Sequence, residues 1–189
     1  MIAMLRRRLM GGSGAFEFTY TGQFTDKIEG SKRVIKLTSS GTLNVSGSVV
    51  ADLYLLAGGG GAADHSGAAG GGGGGGNQTI TNYTIKSGVY DVTIGQGGNG
   101  TLWTGDGDDT WRYASSGGNT SIFGYTCTGG GGGGATSAFG RGGYGGTPNG
   151  KQGGYNSYGN SASGGSPNGG HSPGVLKGGD GHITLTIPI

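Results

Sequence analysis

Residues 55–80 read LLAGGGGAADHSGAAGGGGGGGNQTI, an apolar strand-like stretch that enters seven consecutive glycines and leaves them into a second β-like stretch. Gly-rich chain ordinarily behaves as a flexible linker. Here strand-like sequence flanks the glycines at close range on both sides, which points to ordered glycine inside a domain. The constraint is severe. Glycine loses more backbone entropy on folding than any other residue, roughly 1–2 kcal/mol for each one fixed, and it brings no side chain to bury in return. With 52 Gly in 189 residues and only 31% hydrophobic positions, something other than a side-chain core must order much of this chain.

Between the glycines lie seven or eight short segments rich in Val, Ile, Thr, Tyr and Phe. These are AFEFTY (15–20), RVIKLT (33–38), TLNVSG (42–47), ADLYLLA (51–57), QTITNYTI (78–85), VYDVTIG (89–95), NTSIFGYTC (119–127) and HITLTIP (182–188). Their period-two alternation predicts half-buried strands. No segment past the first ten residues has a helical period. The expected fold is all-β: a jelly-roll-like antiparallel sandwich of 7–8 strands in one domain, 14–189, preceded by a short segment, 1–13. Three Gly-rich inserts interrupt the sandwich at about 58–76, 95–118 and 128–181.

The third insert, fully extended at ~3.1 Å per residue, would run roughly 160 Å, against a radius of gyration of about 16 Å for a domain this size. It must fold back repeatedly, and TPNG (147–150), SPNG (166–169), NSYGN (156–160) and HSPG (171–174) supply candidate reversals. Every buried peptide group needs a partner. A three-residue-per-turn extended helix points its peptide groups outward, and neighbours without side chains approach closely enough to bond them. The inserts are therefore expected to pack as a polyglycine-II-like bundle, with 70–76 and 129–134 inside it. In such a bundle RGGYGG (141–146) sets Arg141 and Tyr144 along one edge, and Gly131→Val would force rods apart.

The order of these motifs carries a resemblance. FEFTYTGQFT, RVIKLTSSGTLNV, ADLYLLAGGGG, the polyglycine run, TITNYTIKSGVYDVTIGQGG, GGNTSIFGYTCTGGGGG and GGDGHITLTIP resemble, over residues 14–189, the glycine-rich domain proteins of tailed-phage and prophage tail modules. The glycine-rich ectodomain of anaplastic lymphoma kinase receptors is similar in architecture. The resemblance implies a non-enzymatic tail-tip or tail-fibre adhesin, part of the virion and made in the bacterial cytoplasm without a signal peptide. It would bind a bacterial surface glycan or protein and other tail, fibre or baseplate proteins, with assembly as a homo-oligomer such as a trimer. The insert TLWTGDGDDTWRYASS (101–116) departs from the pattern, so the ligand does not follow from the resemblance.

The chemistry-bearing residues are sparse. Net charge is +2 and scattered, apart from Arg6, Arg7 and Arg8, and no apolar run is long enough to span a membrane, so neither nucleic acid binding nor membrane insertion is expected. No catalytic constellation or nucleotide-binding loop is visible, and no cofactor is expected. His65, His171 and His182 stand in separate segments and read as solvent-exposed loop or strand residues, and Cys127 reads as a small buried hydrophobe. Asp106, Asp108 and Asp109 form either a solvated acidic turn or an oxygen site for Ca²⁺, without the spacing of an EF-hand. Rigid aromatics among small polar residues have the composition of a recognition surface. Trp103, Trp111, Arg112, Tyr113, Tyr144, Tyr155 and Tyr158 are its candidates, with packing beneath the loop as the alternative for Trp103 and Trp111. In the first ten residues Ile2, Met4, Leu5 and Leu9, with the three arginines, read as a docking segment for a neighbouring subunit or as a basic tail. A purely structural fibre, baseplate or decoration subunit and an ice-binding slab are the competing functions. Bulky Tyr, Arg and Lys in the inserts count against the slab.

Overall fold

The computed structural model describes residues 16–65, 68–102, 110–156, 162, 164–172 and 176–189. In chain order its strands are β1 Glu17–Tyr20, β2 Phe24–Glu29, β3 Lys32–Leu37, β4 Gly41–Ser46, β5 Val49–Leu56, β6 Ala63–Asp64, β7 Ala69–Gly70, β8 Asn77–Ile85 and β9 Gly88–Val92. Then follow β10 Arg112–Tyr113, β11 Thr120–Ile122, β12 Tyr125–Cys127, β13 Gly134–Ala135, β14 Gly140–Arg141, β15 Tyr155–Asn156 and β16 His182–Pro188. All the named strand pairs are antiparallel, and the expected all-β sandwich is present.

Two sheets face each other, in the orders β1-β4-β9 and β2-β3-β16-β5-β8. The β11-β12 hairpin extends the smaller sheet through mutual hydrogen bonds between Thr93 and Ser121. Period-two alternation sends Ile35, Leu185 and Leu53 inward in one cross-strand row, where each is at most 1% exposed. Phe18, Leu43 and Val92 close the core from the other sheet. Cys127 is fully buried there, as expected, and burial pushes its thiol pKa up.

Two strand expectations change. β2 carries no apolar alternation because its inward positions include Asp26, which accepts hydrogen bonds from Arg33 Nε (3.0 Å) and Nη2 (2.8 Å). Arg33 is 3% exposed and lies 5.2 Å from the Phe18 ring, so a charge pair fills a core position that an apolar pattern cannot reveal. Residues 119–127 form a hairpin and not one strand, reversing at Phe123 and Gly124, both with positive φ (53° and 82°). A two-residue hairpin turn of this hand normally takes Asn-Gly or Gly-Gly. Phe123 is held in it by rings, 5.2 Å from Tyr83 and 4.7 Å from Tyr90.

The glycine inserts leave the sandwich together and pack as a bundle of extended rods. Residues 70–76 are wholly buried, and their amides fan out with a three-residue period. Gly71 and Gly74 donate to Gly154 and Lys151, Gly73 and Gly76 to Gly131 and Thr128, and Gly72 to Gly170. Gly75 donates to the side chain of Asn168, which stands on the same rod as Gly170. The carbonyls of this rod accept from three further runs, through Gly60 and Ala57, Gly143 and Gly146, and Gly165. A rod with six bonded neighbours is the hexagonal arrangement that side-chain-free, three-per-turn chain permits. Residues 57–62 form a second interior rod of the same kind, donating to 73 and 76, to 115 and 118, and to 176 and 179, while accepting from Gly98 and Thr101, Gly130 and Gly133, and Gly170.

Glycine is required by close approach. A Cβ on Gly73 would stand 1.9 Å from the Tyr144 carbonyl oxygen, and one on Gly74 1.9 Å from that of Ser166. The 129–134 run differs from the expectation: only Gly130, Gly133 and Gly134 are buried, while Gly131 and Gly132 reach the surface, so this rod lies at the bundle's face. The TPNG and SPNG turns occur as expected at 147–149 and 166–168, each with a cis X-Pro bond. His65 corrects an expectation: it is 3% exposed, tucked into the β6–β7 reversal where its N–H donates to the Ala68 carbonyl.

Candidate functional site

A short sheet on the bundle surface, β10-β13-β14, assembles the site. Tyr113 pairs with Gly134, and Gly134 pairs with Arg141, so the three occupy one cross-strand row. Residues in such a row share a face. With no side chain at the middle position, the row becomes a groove with a tyrosine on one bank and an arginine on the other. Tyr113 leans over the bare backbone: a Cβ on Gly134 would lie 2.8 Å from its ring, and 3.3 Å from the ring of Trp111. Trp111 stacks on Tyr113 with centroids 5.7 Å apart and planes 15° apart.

The three-residue period of the 141–147 rod puts Tyr144 beside Arg141. Arg141 Nη2 donates to the Tyr144 hydroxyl at 3.2 Å, and the guanidinium carbon sits 5.8 Å from that ring's centroid. This hydrogen bond pushes the Arg141 pKa further up, so the site carries a fixed positive charge. The resulting groove has a volume of about 390 Å³, with Tyr113, Ser116, Arg141 and Tyr144 around a floor that includes Gly131, Gly132 and Gly143. Tyr113 and Tyr144 remain 60% and 65% exposed. Aromatic faces, one cation and a floor of bare peptide are the equipment for binding a ligand.

Residues 38–186 match the glycine-rich domain. The chain belongs to this family. A comparison with curated proteins gives no match. In this glycine-rich domain the groove lies on the outside of the rods, away from the hydrophobic core.

Of the residues singled out in the sequence, Trp111, Tyr113 and Tyr144 come together here. Trp111, at 42% exposure, stands on the surface with its ring against Tyr113 and not in a core beneath its loop. Arg112 does not join them; it is half-buried and alternates to the other face of β10. Tyr155 is exposed on a neighbouring rod and does not line the groove. Trp103, Tyr158, the carboxylates Asp106, Asp108 and Asp109, and the docking candidates Ile2, Met4, Leu5, Arg6, Arg7, Arg8 and Leu9 lie outside the described residues.

Arg141 and Gly134 are the residues that the sequence reading did not assign to a site. The X-G-G spacing placed Arg141 on an edge, but nothing in the sequence sets Tyr113 across from it. A larger depression, about 580 Å³, lies beside the 166–168 turn. Its lining of Gly, Ala, Ser and Pro offers no tyrosine or tryptophan and a single imidazole, His171, so it is the weaker candidate despite its size.

Proposed function

We propose that this glycine-rich domain is a receptor-binding adhesin of a phage or prophage tail, recognising a bacterial surface glycan or protein. The observation that carries the reading is the aromatic and cationic groove on the outside of a bundle whose own cohesion uses none of those side chains. The rods need glycine and the sandwich needs its alternating apolar residues; Tyr113, Arg141 and Tyr144 serve neither. Rings supply contact area at low entropy cost, as recognition surfaces require. The tail setting rests on the order of sequence motifs, as do the further proposals that the protein resides in the virion, contacts other tail or baseplate proteins, forms a homo-oligomer and performs no catalysis.

Adsorption of the labelled protein to bacterial cells tests this reading, with circular dichroism as the folding control. Tyr113→Ala and Tyr144→Ala are expected to fold and to lose adsorption, each by at least ~2 kcal/mol if the groove is a binding hot spot. A parent protein that adsorbs to no bacterial surface leaves the structural-subunit alternative standing. The protruding Tyr144 and Tyr155, 65% and 68% exposed, break up the flat face that ice binding needs.

A further inference from the structure

We propose that the Tyr113–Arg141–Tyr144 groove selects an acidic saccharide, holding a pyranose ring against the tyrosines and its carboxylate on Arg141. The proposal rests on the adhesin reading and names its ligand class.

Three features of the groove point to this chemistry. The first is shape. A volume of about 390 Å³ falls at the small end of the range of about 300–1,000 Å³ typical of ligand sites, fitting one or two sugar rings better than a folded protein surface. The second is the pair of exposed tyrosines. The C–H faces of a pyranose stack on aromatic rings, and the ring hydroxyls then point to the rim, where Ser116 and both phenol groups can meet them. The bare floor at Gly131 and Gly132, which reach the surface, lets a ring settle close to the backbone.

The third is charge. Arg141 spends Nη2 on the Tyr144 hydroxyl, and no carboxylate among the described residues pairs with it. A guanidinium has five donors in a planar fork that matches a carboxylate in bidentate fashion. The Tyr144 bond orients this fork along the groove wall, so a neutral sugar would leave the strongest donor of the site without a partner. Discrimination should therefore come from Arg141, and stacking affinity from the tyrosines.

The test uses the full chain and a matched pair of probes: a glucuronic-acid-containing oligosaccharide and the same oligosaccharide with its carboxyl groups reduced to alcohols. Titration calorimetry is expected to show the acidic form binding at least about tenfold more tightly, the scale of one charge-assisted hydrogen bond. Arg141→Gln should erase that preference while keeping residual binding of both forms, and Tyr113→Ala should weaken both equally. Because the Arg141 side chain is exposed and, among the described residues, bonds only Tyr144, the Gln variant is expected to keep the parent's circular dichroism. Should it unfold, Tyr144→Phe, which removes the orienting hydroxyl and keeps the ring, is expected to narrow the acidic preference.

Equal binding of the two probes, or no binding of either, overturns the proposal. Cell adsorption separates it from the reading it rests on. Cells that bind the protein without competition from the acidic oligosaccharide retain the adhesin and overturn the acidic saccharide, pointing to a protein or neutral receptor. Selective binding of the acidic oligosaccharide without adsorption to any bacterial cell keeps the ligand class and overturns the adhesin.

Discussion

The two halves of this molecule bury their surface by opposite means. In the sandwich, side chains such as Leu53, Leu185 and Ile35 interdigitate and the backbone pairs only with neighbouring strands in its own sheet. In the bundle there is almost nothing to interdigitate, and one rod hydrogen-bonds to six others. The sandwich is thus tolerant in the way cores are tolerant, losing a few kcal/mol when atoms are removed. The bundle is brittle in the other direction, because its tight spacing is incompatible with added atoms. Hydrogen-bond partners are distributed around each rod, so displacing one rod strips bonds from several neighbours at once.

The sharpest way to break this comparison is to add one carbon to the bundle and delete three from the sandwich. Gly73→Ala places a Cβ 1.9 Å from the backbone oxygen of Tyr144, which cannot rotate away. Its loss of stability is expected to exceed about 4 kcal/mol, or to prevent folding. Leu53→Ala should cost about 2–5 kcal/mol. Denaturant melts that rank Leu53→Ala as the more damaging would refute rod packing at Gly73.

Next in size comes Asn168, whose side chain acts as a piece of rod. Its Oδ1 accepts from Gly75 N at 2.9 Å, and Nδ2 donates to Ala57 O at 3.0 Å and Gly179 O at 2.9 Å, tying both interior rods to a third. Asn168→Ala is expected to cost about 2–4 kcal/mol, from three bonds of roughly 0.5–1.5 kcal/mol each. Asn149 stands at the same place in the other Pro-Asn-Gly turn but makes one such bond, to Asn77 O at 3.1 Å. Asn149→Ala should cost clearly less, and equal melting temperatures for the two variants would remove the special role of Asn168.

Gly131 sharpens the comparison further, since it lies in the bundle yet at the groove. Its nearest backbone neighbour, Tyr144 N, would be 3.1 Å from a Cβ. Gly131→Ala is accordingly expected to cost only about 1 kcal/mol, and Gly131→Val is milder than a bulky residue in an interior rod. A loss as large as that of Gly73→Ala would show that the 129–134 rod is as enclosed as 70–76.

The last contrast comes from the sandwich. His182 stands on β16 beside Tyr54, and burial, with Lys36 nearby, lowers its pKa from 6.5 to about 4. The fold thus favours neutral imidazole. Stability from this group is complete above pH 6.5 and declines as the pH falls toward 4, where the folded state also protonates. His182→Gln should flatten this part of the pH–stability curve; an unchanged slope would assign it to other groups.

Much of this was legible beforehand. Alternation located β1, β3 to β5, β8, β9 and β16, and the X-G-G spacing set Arg141 and Tyr144 on one edge. The missed pieces share a cause. β2 hid because Asp26 and Arg33 pair with each other inside the core, and the β11–β12 turn hid because neighbouring rings, not local preference, hold Phe123 at positive φ. Both are long-range compensations that no local pattern records.

By itself the sequence determined that long glycine runs between strands must bury peptide groups against each other, since nothing else in them can order. It also determined the three-residue direction in which each amide points. Only the tertiary structure decided which rods lie inside and which residues face each other across them. Seven identical glycines carry no register of their own, because with no side chains every shift along the rod is locally equivalent. Their alignment is imposed from the ends, by strands β5 and β8 with the Ser166–Asn168 turn on one side and by the β6–β7 reversal on the other. The same imposed alignment brings Tyr113 and Arg141 to either side of Gly134.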